Sequence, residues 1–138
     1  MLDAGLEIAK KCLESRERLL GKEHLDTLTS VNNLGSIIHD MGNYEEAEKL
    51  YRRALEGREK TLGEDHPDTL SSVSSLALLL YKRGKYKEAE KFYRRALEGR
   101  EKAFGEEHPN TLSSVNNMGF LLKNMGQYEE AEKLYTRA

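Results

Sequence analysis

The chain has 138 residues, of which 33% are charged, and its 24 acidic side chains nearly balance its 22 basic ones. This balance provides no basic field of the kind that attracts nucleic acid or an acidic membrane surface, so we predict neither partner. No apolar run approaches the roughly 20 residues of a membrane span, and the N-terminal residues do not resemble a signal peptide. The single cysteine fits a reducing compartment, so we predict a cytoplasmic protein.

An internal repeat organises the chain. Segments that start at Gly21, Gly63 and Gly105 share one plan, and these starts lie 42 residues apart. Self-similarity at a fixed period of this size indicates stacked structural repeats. We therefore predict a single repeat array over residues 1–138, with full copies at 21–62 and 63–104 and a truncated copy at 105–138.

Residues 1–20 align with the end of the first full copy. Leu13 corresponds to Leu55, and Arg16 corresponds to Arg58. We interpret this segment as the second helix of a degenerate repeat. Cys12 then takes a position that is alanine elsewhere, and we expect a small, buried side chain at a tight helix contact.

The first helix of each copy is predicted from a 3.6-residue apolar period. In the middle copy it begins near His66-Pro67-Asp68, since proline is tolerated in a first helical turn and an acid suits the positive helix end. Gly84 is predicted to end it in the left-handed conformation. Its apolar residues are Leu70, Val73, Leu76, Ala77 and Leu80. This spacing indicates a helix rather than a strand.

The second helix is predicted over about residues 85–102, folded back antiparallel after a short loop. Its outer face is charged, and its inner, apolar face carries alanines and aromatic residues, Tyr86 among them. Gly57 and Gly99 lie inside this helix, where each costs about 1 kcal/mol relative to alanine. We expect them to allow either the close approach of a neighbouring helix or a bend. The count is one unpaired helix followed by three pairs, which makes seven helices in an all-α fold.

The repeats resemble the tetratricopeptide family. Its signature is a bulky residue, two spacers and Leu-Gly, followed by an aromatic residue and then by alanine, an aromatic residue and alanine. The matching residues are Val31, Leu34, Gly35, Gly42, Tyr44, Ala47, Tyr51 and Ala54 in the first copy, Val73, Leu76, Ala77, Gly84, Tyr86, Ala89, Tyr93 and Ala96 in the second, and Val115, Met118, Gly119, Gly126, Tyr128, Ala131, Tyr135 and Ala138 in the third.

The period is longer than the usual tetratricopeptide unit of about 34 residues, which corresponds to roughly one added turn on each helix. Together with the phrases His-Pro-Asp-Thr-Leu and Asn-Asn-Leu-Gly, it resembles the kinesin light chain type of repeat. The phrase Ala-Leu-Glu-Gly-Arg-Glu-Lys also resembles arrays that follow nucleotide-binding domains in large signalling NTPases.

The resemblance implies a right-handed superhelical solenoid of antiparallel helix pairs, in which the first helices line a concave groove. Asparagine at such positions can both donate to and accept from a peptide backbone. The groove residues that the resemblance implies are Asn32, Asn33, Ser36, His39, Ser74, Leu78, Tyr81, Lys82, Asn116, Phe120, Lys123 and Asn124.

The middle copy departs from its neighbours in this predicted wall. It has Ser74-Ser75 where the other copies have two asparagines, so a continuous asparagine ladder is interrupted. Leu78, Tyr81 and Phe120 make the wall partly apolar, and exposed apolar residues in a groove favour a partner. We therefore expect no cluster of Lys and Arg that would grip a terminal carboxylate.

The recurring histidines His24, His66 and His108 are not predicted to bind metal. Ligands of one ion must converge within a few Å, whereas equivalent residues of stacked repeats lie on the order of 10 Å apart or more. We predict a structural role for them at the loop-to-helix junction. No catalytic motif occurs, so we predict neither an enzyme nor a cofactor.

Two functional hypotheses follow. In the first, the chain is a scaffold that binds a peptide or a partner segment in the concave groove. In the second, it is a structural or sensor segment of a larger signalling NTPase, or an array that self-stacks head to tail through its truncated ends, without a peptide ligand of its own.

Overall fold

A computed structural model describes residues 2–137 of the chain, and the side chains of residues 4–136. Within this range the backbone forms seven α-helices and no strand. The helices are α1 (Leu2–Leu20), α2 (Leu25–Asp40), α3 (Tyr44–Leu62), α4 (Pro67–Lys82), α5 (Tyr86–Phe104), α6 (Pro109–Asn124) and α7 (Tyr128–Arg137). The predicted all-α fold is confirmed. Ala138, the last residue of the third repeat signature, lies outside the described residues.

The chain divides into two compact units, Met1–Glu64 and Asp65–Ala138. In the first unit, α2 packs against both α1 and α3. In the second unit, α4 packs on α5, α5 on α6, and α6 on α7. The single array over residues 1–138 stays a prediction. None of the described helices is long and apolar enough to cross a membrane.

Each first helix starts with a histidine cap. The Nδ1 atom of His66 accepts a hydrogen bond from the backbone N–H of Asp68 at 3.1 Å, and Pro67 occupies the first helical turn. His24 and His108 cap α2 and α6 in the same way. Because a side-chain acceptor at this place satisfies one of the unpaired N–H groups of a helix start, the predicted structural role of these histidines is confirmed.

The first helix of the second unit ends at a glycine in the left-handed region. Gly84 has a φ of +80°, and its N–H donates to the carbonyl of Tyr81 at 3.0 Å. The next N–H, that of Lys85, reaches back to the carbonyl of Leu80 at 2.9 Å. These two hydrogen bonds close a turn that reverses the chain within a few residues, so α5 runs antiparallel to α4.

The interior glycines of the second helices mark close helix approach. A Cβ atom added at Gly57 would lie 2.6 Å from the Leu28 methyl carbons, and one added at Gly99 would lie 2.8 Å from those of Leu70. Both leucines are fully buried or nearly so. The prediction of close approach at these glycines is confirmed.

A second contact between paired helices joins a small residue to a tyrosine ring. A Cβ atom at Gly35 would lie 3.0 Å from the Tyr51 ring, and one at Gly119 would lie 2.9 Å from the ring of Tyr135. The middle copy has Ala77 at this position, and its side chain is fully buried. The repeat thus accepts one methyl group here but offers no larger space.

An arginine-to-serine hydrogen bond links consecutive copies. Arg16 Nη1 donates to Ser30 Oγ at 2.7 Å between α1 and α2. Arg100 Nη1 donates to Ser114 Oγ at 2.8 Å between α5 and α6. In both cases the second helix of one copy contacts the first helix of the next. Burial lowers the pKa of Arg100 from its usual value, and a guanidinium nonetheless stays charged in proteins.

Cys12 departs from the prediction. We expected a buried side chain, because the equivalent Ala54 is fully buried in the contact between α2 and α3. Cys12 is instead exposed. Among the described residues α1 packs on α2, and Cys12 lies on a face of α1 that is exposed together with Ile8.

Candidate functional site

The second unit carries an exposed aromatic patch, which we define as Tyr81, Tyr86 and Phe120. The ring centroids of Tyr81 and Phe120 are 5.8 Å apart with an interplanar angle of 65°, and those of Tyr81 and Tyr86 are 5.4 Å apart. Such separations are in the range that aromatic pairs prefer. Phe120 is 52% exposed. An aromatic cluster of this size in contact with solvent is unusual, because large rings are mostly buried.

The repeat period accounts for the position of this patch. Leu78 and Tyr81 lie one turn apart on α4, and Phe120 occupies on α6 the position that Leu78 has on α4. Residues three and four apart share a helix face, so these side chains form one stripe on each first helix. Leu78 is 40% exposed and extends the apolar surface beside the rings.

A hydrogen bond orients the polar end of the patch. Asn124 Nδ2 on α6 donates to the Tyr81 hydroxyl oxygen at 2.8 Å, which ties the two first helices of this unit together. Lys82 and Lys123 are exposed on the same helices. The patch therefore combines apolar rings, an oriented hydroxyl group and two flanking cations.

A buried tyrosine lies near Tyr81 of the patch. Burial, with a smaller contribution from Tyr81, raises the pKa of Tyr93 to about 12. The Tyr93 phenol is therefore uncharged at physiological pH.

The predicted groove residues differ in how far they reach solvent. The exposed ones are Asn33, Ser36, Leu78, Lys82, Asn116, Phe120, Lys123 and Asn124. Three are partly exposed, namely Asn32, Ser74 and Tyr81, and one, His39, is buried. The structure brings together Tyr81, Phe120 and Asn124 of this set. Asn33 and Ser36 lie on α2 in the first unit.

His39 does not face solvent as predicted. Its side chain is 7% exposed, and its Nδ1 lies 3.3 Å from the Tyr51 hydroxyl oxygen. The ring centroids of His39 and Tyr44 are 5.4 Å apart, with the two rings nearly perpendicular. The equivalent position in the second unit is Tyr81. The prediction is corrected because the short imidazole is covered by the two tyrosines of α3, whereas the longer phenol of Tyr81 extends past Tyr86 to Asn124.

The predicted groove roles of Asn32 and Ser74 stay predictions. Asn32 Oδ1 and Ser74 Oγ are both buried and have no hydrogen-bond partner among the described residues. Asn116 has the same position in the third copy, and its side chain is exposed.

Tyr86 belongs to the aromatic patch, although the sequence predicts it on the apolar face of the second helix. We assigned it to the apolar face of the second helix, yet it is 39% exposed and contacts Tyr81. The signal that locates it is the Gly-x-Tyr spacing. Because Gly84 reverses the chain, the first residue of α5 must lie beside the last turn of α4.

The described residues show no group of three or more His, Cys, Asp or Glu side chains placed to hold a metal ion. The histidines that recur with the repeat instead use Nδ1 to cap their helices.

Comparison with known families identifies the repeat. Profiles of the tetratricopeptide repeat match residues 28–102 and 73–138, and a further profile of the same repeat matches residues 2–26. The chain belongs to the tetratricopeptide repeat family. Tetratricopeptide repeats generally mediate protein–protein interactions, and the kinesin light chain-like members are non-enzymatic repeat scaffolds. Among curated proteins, none matches the chain significantly.

Solved structures show the same fold. The chain is similar to a candidate kinesin light chain of Podosopora anserina with nearly identical TPR-like repeats, with a TM-score of 0.88 and 26% identity over 96% of this chain and 63% of that one. It is also similar to BtubC (BKLC) from P. vanneervenii, with a TM-score of 0.90 and 26% identity over 99% of this chain and 54% of that one. The chain therefore spans less than two thirds of the length of these two relatives. The kinesin light chain-like character of the repeat is confirmed.

Proposed function

We propose that the exposed face of α4 and α6 binds a short segment of a partner protein. The observation that carries this proposal is the aromatic patch, whose rings are exposed to solvent in a family that mediates protein–protein interactions. Fully burying a Phe side chain of this kind stabilises a complex by about 1.5–3 kcal/mol, and aromatic residues often dominate the binding energy of interfaces.

The chemistry of the face suggests the ligand. A large apolar side chain of the partner would contact Leu78 and Phe120. The Tyr81 hydroxyl accepts from Asn124, which leaves its own O–H to donate to a peptide carbonyl oxygen. Lys82 and Lys123 flank the rings, so an acidic residue beside the apolar anchor would add a favourable charge contact. We therefore propose a ligand with an apolar anchor next to an acidic residue.

A library of random short peptides, selected on the wild-type protein, tests this proposal. The peptides that are enriched should carry this anchor pattern and should bind Phe120→Ala at least about tenfold more weakly, because the main apolar contact is removed. Tyr81→Phe keeps the ring and removes only the hydroxyl group, so a smaller loss is expected.

Leu19→Ala is the matched control, since Leu19 is an apolar residue on α1 that is 74% exposed and lies outside the patch. Peptides that bind Phe120→Ala and Leu19→Ala equally well would contradict the proposal. Failure to enrich any peptide, together with a mass that rises with concentration in sedimentation, would favour the self-stacking array instead.

Cytoplasmic localisation stays a prediction.

A further inference from the structure

The turn between the two helices of a repeat changes its charge from copy to copy. We define the acidic turn as residues 40–46, between α2 and α3, and the basic turn as residues 82–88, between α4 and α5. The acidic turn carries three acidic side chains and no cation, whereas the basic turn carries four cations and one acid. The equivalent residues 124–130 carry two acids and no cation. Of the three copies, the middle one alone therefore has a positive turn.

The side chains that carry these charges face solvent. Lys82 and Lys87 of the basic turn are exposed, and so are Asp40 and Glu45 of the acidic turn. None of these four side chains takes part in an ion pair within the described part of the chain. Their charges are therefore available to a second molecule, and they act at short range because salt screens exposed charges.

The positive charge of the basic turn opposes the stability of the helix that follows it. The side chain of Asn43 caps α3 by accepting a hydrogen bond from the backbone N–H of Glu46 at 3.4 Å. Lys85 has the equivalent position at α5, and its side chain makes no capping hydrogen bond. Cations near a helix start also oppose the helix dipole. Since local stability favours the acidic kind of turn, the charge reversal in the middle copy indicates a role in binding.

The basic turn and the acidic turn have the same backbone course and opposite charge. Gly42 and Gly84 have φ angles of +86° and +80°, and both turns join helices that pack on each other. Each turn also exposes a large apolar side chain, since Met41 is 42% exposed and Tyr86 is 39% exposed. A methionine thioether packs favourably against an aromatic ring, and opposite charges around such a contact fix its orientation.

We infer that the basic turn of one molecule binds the acidic turn of a second copy of this chain. The exposed lysines of one turn pair with the exposed acids of the other, and Met41 packs against Tyr86 between them. Two turns of the same kind repel each other, so only unlike turns combine. The contact is heterologous, because it joins different surfaces of the two molecules. It shares only Tyr86 with the aromatic patch and does not depend on the peptide binding proposed above.

Sedimentation equilibrium at low ionic strength measures this association. The average mass of the wild type should rise between about 0.05 and 1 mM protein, because a contact built on a few exposed ion pairs is weak. Lys82→Glu/Lys87→Glu and Asp40→Lys/Glu45→Lys should each associate at least about tenfold more weakly, since the reversal gives each variant two turns of like sign. An equal mixture of the two variants should recover the association, because it combines the unchanged acidic turn of the first with the unchanged basic turn of the second.

Phe120→Ala is the matched control, and it should associate as the wild type does even where it no longer binds the selected peptides. Circular dichroism checks that every variant keeps its helices. Self-stacking through any other surface would persist in both charge-reversal variants, and that result would overturn the inference. A wild type that stays monomeric, or a mixture that does not associate, would overturn it too. So would an acidic peptide that binds the basic turn of a monomeric wild type, since another protein would then be the partner.

Discussion

A histidine cap is an uncommon way to start a helix. Asn, Asp and Ser are the preferred residues at this position, because a side-chain oxygen reaches the N–H groups of the first turn. In this chain the imidazole Nδ1 of His66 does the same at 3.1 Å from the Asp68 nitrogen. Because Nδ1 accepts this hydrogen bond, it carries the lone pair, and the N–H of the ring is at Nε2.

Replacement of His66 by alanine tests the cap. We expect His66→Ala to lower the free energy of unfolding by about 1 kcal/mol, because the N–H of Asp68 loses its acceptor. His66→Asn restores an acceptor at the same place and should retain most of the stability. Chemical denaturation of the three proteins measures both values.

Two outcomes would contradict the role of the cap. Equal stability of His66→Ala and the wild type would show that the hydrogen bond contributes nothing, and an equal loss in His66→Ala and His66→Asn would show that the imidazole acts by packing instead.

At the scale of the element, replacing the glycine inside a second helix by alanine has two opposed effects on stability. Alanine has the higher helix propensity by about 1 kcal/mol, whereas overpacking of a tight core contact costs about 1–3 kcal/mol. At Gly99 the second effect applies, since Leu70 is fully buried and its methyl carbons would lie 2.8 Å from the new Cβ atom.

Gly99→Ala and Gly5→Ala should therefore have opposite effects. Gly5 also lies inside a helix, but nothing is within 4 Å of a Cβ atom added there. We expect Gly5→Ala to stabilise the protein by up to about 1 kcal/mol and Gly99→Ala to destabilise it by up to about 2 kcal/mol. Thermal or urea unfolding distinguishes them, and stabilisation by both substitutions would contradict close packing at Gly99.

The helices could be predicted from the sequence because their signals are local. Apolar period, Pro67 and Gly84 define α4 within a residue or two, and the repeat transfers these bounds to α2 and α6. Gly99 predicted a close helix contact, because glycine costs about 1 kcal/mol relative to alanine inside a helix and a tight contact can offset that cost.

The exposure of individual side chains could not be predicted in the same way. Cys12 is exposed on α1, which packs on α2, and His39 is buried because Tyr44 and Tyr51 cover it. Both depend on neighbouring elements rather than on the residue's own position in its helix. Tyr86 joins the aromatic patch for the same reason, since the turn at Gly84 brings two helix ends together.

At the scale of the whole molecule, the protection of backbone amides from hydrogen exchange should vary with position along the chain. In repeat proteins each unit is stabilised mainly by its neighbours, so helices with fewer neighbours open more easily. Ile8 and Leu19 of α1 are 70% and 74% exposed, and Tyr135 of α7 is 40% exposed, whereas the equivalent Tyr93 of α5 is 5% exposed.

Hydrogen exchange measured by mass spectrometry tests this gradient. The amides of α4 and α5 should exchange most slowly, and those of α1 and α7 should exchange faster by about tenfold or more, because local opening there exposes less buried surface. Exchange in α1 as slow as in α5 would contradict the expectation.

The arginine-to-serine hydrogen bonds between copies have a consequence for the gene. Arg16 with Ser30 and Arg100 with Ser114 form the same junction 84 positions apart, so a junction does not depend on which copy precedes it. Duplication or deletion of one whole repeat would therefore keep an arginine and a serine at the new junction. An array of this kind can gain or lose a repeat in one step and retain this hydrogen bond between its copies.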